Sequence, residues 1–243
     1  MASEIVLDIQ APVATIRIAR SAKRNAITSD MYATLASSLE TVAKREDVRV
    51  VVLTGTDGSF TAGNDLRDMA ENPDSGPDSP PSRFLRALLA VPQVIVVAVD
   101  GPAIGIGSTV LLHADLVYAT RSSVFRMPFV SLGLVPEAAS TYLLPALVGH
   151  PVAAELLLLG RVFSADEALS WRLVNEVLPD EAALRARVDE VVAALVAQPS
   201  AALLSTRRLL RAHREAPVRR RLDEDGALLR ELAATLQDGV VSP

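Results

Sequence analysis

Apolar and polar positions alternate along the first third of the chain in the periods of strands and helices. Residues 5–9 and 13–18 are short β-branched runs separated by Ala11-Pro12, the pattern of a hairpin. Thr28 or Ser29 can cap a helix running to about Arg45, with apolar positions at Met31, Leu35, Leu39 and Val42. Residues 48–53 and 94–99 are almost continuously apolar, as strands covered on both faces are. A third such strand is expected at 116–119, after a turn at 101–107 that opens a helix to about His113. Helical patterns are expected at 83–91, 137–148, 151–159 and 165–171, and a short strand at 174–177. Two or three long helices follow from Pro179 to Leu236, broken at Pro199 and Pro217. Alternating βα units with a helical tail predict an α/β fold with a parallel sheet.

Composition narrows the class. The 243 residues are 50% hydrophobic and 22% charged, enough for a sizeable core and too apolar for disorder. Mean hydropathy of +0.30 fits either a greasy core or apolar surface that meets another subunit. A net charge of -5 argues against a global grip on nucleic acid. With no cysteine there is neither a disulfide framework nor a thiolate site, and His113, His150 and His213 are too scattered for a metal cluster. The first ten residues lack the pattern of a signal peptide, and 102–119 is a poor membrane span. Scarce lysine beside abundant Arg and Ala suggests a GC-rich bacterial genome. A cytoplasmic location is the expectation.

Several features carry two readings. Residues 71–82, with four prolines, read as a lid or as a plain surface loop. Gly105-Ile-Gly107 follows a buried strand, but Val110 occupies the third glycine position of a dinucleotide fingerprint. The arginines from Arg207 to Arg221 form either a solvated helix face or a hold for a phosphate-bearing ligand. His113 and Trp171 read as core, and Asp65 as a cap or turn former before a base.

Two loops share one feature. Phe60-Thr-Ala-Gly-Asn-Asp-Leu66 and Asp100-Gly-Pro-Ala-Ile-Gly-Ile-Gly107 each follow a buried strand with small residues that let backbone amides approach a ligand. The second opens a helix, whose free N–H groups favour a negative oxygen. Two such amides on one carbonyl would make an oxyanion hole.

With Lys23-Arg-Asn-Ala-Ile27, Ala114-Asp-Leu-Val-Tyr-Ala119 and Gly133-Leu-Val-Pro-Glu137, these loops give a chain that resembles the crotonase (enoyl-CoA hydratase/isomerase) superfamily from Ile5 to the C-terminal helices. The resemblance implies a spiral of ββα units over residues 1–190. It assigns 191–243 to a helical region that mediates trimers or dimers of trimers and completes part of the CoA site. It places the oxyanion-hole donors on the backbone N–H groups of Asn64 and Ile106, and CoA contacts at Arg24, Ala26, Ala62, Asp65, Leu66, Arg67 and Arg207. The two glutamates of the family's hydratases fall on Thr109 and Phe129, which leaves those positions to the acyl pocket and argues against hydration. A carboxylate stands instead at Glu137, as in the peroxisomal-type delta-3, delta-2-enoyl-CoA isomerases, where it is the single base. The bland reading of Glu137 is an acid at a helix N-terminus.

The implied activity is conversion of 3-enoyl-CoA to 2-enoyl-CoA in fatty-acid metabolism, with no metal and no cofactor beyond CoA as part of the substrate. Other acyl-CoA enolate chemistry (hydrolase, lyase or residual hydratase) and a non-catalytic acyl-CoA binder are the rival expectations.

Overall fold

The computed structural model describes residues 4–72 and 76–237. Part of the proline-rich segment, at 73–75, and the two chain ends lie outside those bounds. The expected hairpin is formed by β1 (Ile5–Gln10) and β2 (Val13–Ile18), in antiparallel register. Helix α1 (Ser29–Ala43) begins where Thr28 Oγ1 accepts the Met31 amide, and it buries the stripe of Met31, Leu35, Leu39 and Val42.

The main sheet runs β1-β2-β3-β4-β6-β9, where β3 is Val50–Thr54, β4 Val94–Val99, β6 Leu116–Thr120 and β9 Glu176–Leu178. Beyond the hairpin every pairing is parallel. The continuous apolar runs follow from burial on both faces. Val51, Leu53, Ile95, Val97 and Val99 join the large core, while Val50, Val52, Val94, Val96 and Ala98 face a second one. Helix α8 (Glu181–Val196) covers that second face with Leu184 and Val188. The expected boundary at 190/191 therefore falls inside a helix.

A smaller sheet has the order β5-β7-β8, from Pro102–Ile104, Val124–Arg126 and Phe163–Ser164. Both β4 and β6 are followed within a few residues by one of its strands. Thr61 bridges Ala103 at its edge, so the loop after β3 joins the same layer. The chain thus spirals between two sheets and returns through helices, which is the expected α/β architecture of repeated ββα units.

The remaining elements are α2 (Leu66–Glu71), α3 (Pro80–Ala90), α4 (Ile106–Thr109), α5 (Ser140–Val148), α6 (His150–Leu159), α7 (Ala165–Ser170) and α9 (Ser200–Gln237). Two expectations need correction. Helix α9 does not break at Pro217: it continues through it, with Val218 buried in the main core and Arg214 donating to the Leu112 carbonyl. These contacts outweigh the single backbone bond that proline removes. Helix α5 starts at Ser140 rather than 137, because Ala138 and Ala139 are both left-handed. Outward, α6 exposes Leu158 and Leu159, and α9 exposes Leu209 and Leu210.

Candidate active site

The loops after β3 and β4 lie side by side. Thr61 N–H donates to the Pro102 carbonyl and Ile104 N–H to the Thr61 carbonyl, each at 3.0 Å. Gly63 has φ +89°, and a Cβ there would stand 2.8 Å from the Ile104 carbonyl oxygen, so only glycine permits the approach. Ile27 pairs with the carbonyl of Gly63 and the amide of Asp65, passing over Asn64. Ile106 is the first residue of α4, where an amide has no helical partner. Among the described residues neither the Asn64 nor the Ile106 N–H donates to a protein acceptor. Both residues line one cavity of about 370 Å³, together with Phe129, Leu132 and Leu134. This pair of free amides can stabilise an oxyanion.

Thr109 lies one helical turn after Ile106 on α4 and reaches Glu137. The Thr109 hydroxyl donates to Glu137 Oε1 at 3.0 Å. Glu137 is only 8% exposed, and burial pushes its carboxyl up to about 7. The Thr109 bond opposes that rise, and the nearby Asp225 charge adds to it. Glu137 is not an N-terminal helix acid, since it precedes the α5 cap and its carboxylate bonds Thr109. It stands before two consecutive left-handed alanines, a conformation that costs energy and persists only when its surroundings enforce it. Two groups do so here. His113 Nε2 bonds the Ala138 carbonyl at 2.8 Å, and Asp225 Oδ2 accepts the Ala139 amide at 2.9 Å. Burial lowers His113 to about 4, so the ring is neutral at pH 7 and Nε2 is the donor.

Thr109 therefore positions the carboxylate, and Phe129 lines the cavity with the two amides. Ala26, Ala62, Asp65, Leu66 and Arg67 line an adjoining groove of about 550 Å³, which meets the first cavity at Ala62, Asn64 and Leu66. Asp65 caps α2 by accepting from the Arg67 and Asp68 amides. It also pairs with Arg20 at 2.7 Å, which holds it below the usual carboxylate range. Arg67 is exposed and bonds Glu71. Arg24 does not line this groove; its carbonyl accepts the Ala62 amide. Arg207 is not brought to this groove. It is 6% exposed, bonded to Asp115 at 2.5 Å and to the Val91 carbonyl at 2.7 Å.

Three contributors escaped the sequence reading. Tyr32 donates a hydrogen bond to Asn64 Oδ1, and burial raises its phenol, with the Glu137 charge adding to the rise. Arg20 lines the second groove and secures Asp65. Asp225 reaches the Glu137 loop from α9. Nothing local marks Tyr32 or Asp225, since both sit within ordinary helical patterns.

A sequence model of the enoyl-CoA hydratase/isomerase family matches residues 8–242. The chain is 36% identical over 184 residues to 1,2-epoxyphenylacetyl-CoA isomerase of Escherichia coli (strain K12), a match covering 73% of this chain and 70% of that one. It is 33% identical over 183 residues to the peroxisomal enoyl-CoA delta isomerase 3 of Mus musculus, covering 73% of this chain and 57% of the mouse protein. The structure of Pseudomonas aeruginosa OdaA superposes with a TM-score of 0.93 at 39% identity, covering 96% of this chain and 94% of that one. The chain belongs to the enoyl-CoA hydratase/isomerase (crotonase) family, whose members act on acyl-CoA thioesters.

Proposed function

We propose that this crotonase-family enzyme converts 3-enoyl-CoA thioesters to conjugated 2-enoyl-CoA. One observation carries the reading: a buried carboxyl of raised pKa, Glu137, is bonded to Thr109, which stands one helical turn after the free donor Ile106. The family resemblance supports it, since it puts Thr109 and Phe129 where hydratases carry carboxylates.

The thioester carbonyl oxygen sits between the Asn64 and Ile106 amides. Ionised Glu137 takes a proton from C2, and the electron pair moves onto that oxygen as a dienolate. Each donor is worth about 3–4 kcal/mol at that stage. The same proton returns at C4, the double bond moves into conjugation, and Glu137 is ionised again. A base near pH 7 is suited to both halves of the transfer. The Ala26–Arg67 groove takes the CoA portion. The exposed leucines on α6 and α9 support self-association, as a homotrimer or a dimer of trimers.

The test follows conjugated thioester from a 3-enoyl-CoA, with 2-enoyl-CoA hydration in parallel. Wild type should conjugate without hydrating, and Glu137→Gln should lose about two orders of magnitude or more. Binding of CoA thioesters with neither reaction would overturn the proposal.

A further inference from the structure

One face of α9 carries arginines that the proposed reaction does not use. Residues 204, 207, 211, 214 and 218 recur at helical spacing and line a cavity of about 480 Å³. Its opposite wall is Leu89, at the end of α3, with Val91 and Pro92 just after it. His113 closes one side and holds the Ala138 carbonyl, so the cavity lies behind the Glu137 loop. It shares no lining residue with the groove of Asn64 and Ile106.

The charges around it do not balance. Arg207, Arg208, Arg211, Arg214 and Arg219 contribute to the wall. Against them stand Asp115, already bonded to Arg207, and Glu215, already bonded to Arg219. Arg214 donates to the Leu112 carbonyl. Among the described residues Arg211 makes no hydrogen bond and no ion pair. Its Nη1 and the Nη2 of Arg207 are buried without partners. Burial, together with the charges of Arg207 and Arg214, pulls the Arg211 guanidinium down to about 10. Leaving guanidinium groups desolvated and unpaired is costly, and an anion removes the cost. Planar forks converging from one helix face suit an oxyanion with several acceptor oxygens.

We infer that the cavity between α9 and the Leu89–Pro92 segment is a binding site for a phosphate-class oxyanion, with Arg211 as its principal ligand and Arg214 and Arg207 beside it. The group could arrive as free phosphate or as a phosphomonoester, whose organic body would rest on the apolar wall.

The experiment is calorimetric titration of the full chain with inorganic phosphate and separately with phenyl phosphate, at constant ionic strength against chloride. Saturable binding is expected, and Arg211→Gln should weaken it at least tenfold. Arg67→Gln, in the other groove, should leave it unchanged. Tighter binding of phenyl phosphate identifies a phosphomonoester, and equal binding identifies free phosphate. A second readout guards against misfolding: in chloride buffer Arg211→Gln should melt no lower than wild type, because it removes a half-buried charge whose Nη1 has no partner. Phosphate should then raise the wild-type melting temperature and not that of the variant. Absence of saturable binding, or equal binding by Arg211→Gln, overturns the inference. So does a change of oligomeric state in Arg211→Gln without any phosphate response, which would mean that a second copy supplies the anion.

Discussion

The Thr109 hydroxyl donates to Glu137 Oε1 at 3.0 Å, and this bond opposes the rise that burial imposes on the carboxyl. Thr109→Val removes the donor while nearly preserving shape. The ionised form loses support, so the Glu137 pKa should climb above about 7. The acidic limb of kcat/KM against pH should move to higher pH, and an unmoved limb would show that Glu137 does not set it.

Asp225 acts in the opposite sense. Its charge raises the Glu137 pKa, and its Oδ2 holds the Ala139 amide. Asp225→Asn keeps an acceptor for that amide but loses the charge. The acidic limb should move to lower pH, opposite to Thr109→Val. Asp225→Ala loses both and should also lower kcat, as the left-handed turn relaxes.

Stability should follow the same carboxyl. Glu137 has a folded pKa of about 7 against an ordinary value of 4.5. Between those values the unfolded chain has released the proton and the folded one retains it, so stability falls as pH rises. The loss is on the order of 3 kcal/mol and is complete above about pH 7. Glu137→Gln has no such penalty. Denaturant unfolding should show the variant gaining on wild type from pH 4.5 to 7, with no further gain above.

Gly63→Ala tests the approach of the two amide loops. The new Cβ would meet the Ile104 oxygen at 2.8 Å, at a φ of +89°. Strain of about 1–3 kcal/mol should appear in unfolding. Separation of the two donors should lower kcat/KM by about two orders of magnitude. Wild-type turnover in this variant would remove the oxyanion role of the loop.

Leu209 and Leu210 are each 69% exposed on α9. If they lie in a subunit interface, Leu209→Glu with Leu210→Glu should shift light-scattering mass toward the monomer. An unchanged mass would place the interface elsewhere.

The sheet was legible because burial on both faces leaves its mark in sequence, as at Val50–Thr54 and Val94–Val99. So was the Thr28 cap, whose chemistry is local. The smaller sheet was missed, since strands of two or three residues such as Phe163–Ser164 are too short to show a period. Helix α2 was missed for the same reason, although its cap, Asp65, was legible. Pro217 misled because proline's local preference yields to the packing of Val218 and Asp225. Within the site, Asn64, Ile106 and Glu137 could be placed by their flanking motifs. Tyr32 and Asp225 could not, because their partners lie 32 and 86 residues away.

The two left-handed alanines after Glu137 bear on how a proton is carried. Glycine would adopt that turn with less strain and more freedom. Alanine, pinned from both sides by His113 and Asp225, leaves the backbone few alternatives. On the proposed reaction, the carboxyl must visit two carbons on one face of the substrate. The travel then belongs to the side-chain torsions of Glu137, which swings like a short arm from a fixed pivot. Its reach is set by its own length, and Glu137→Asp cannot be rescued by the loop moving forward.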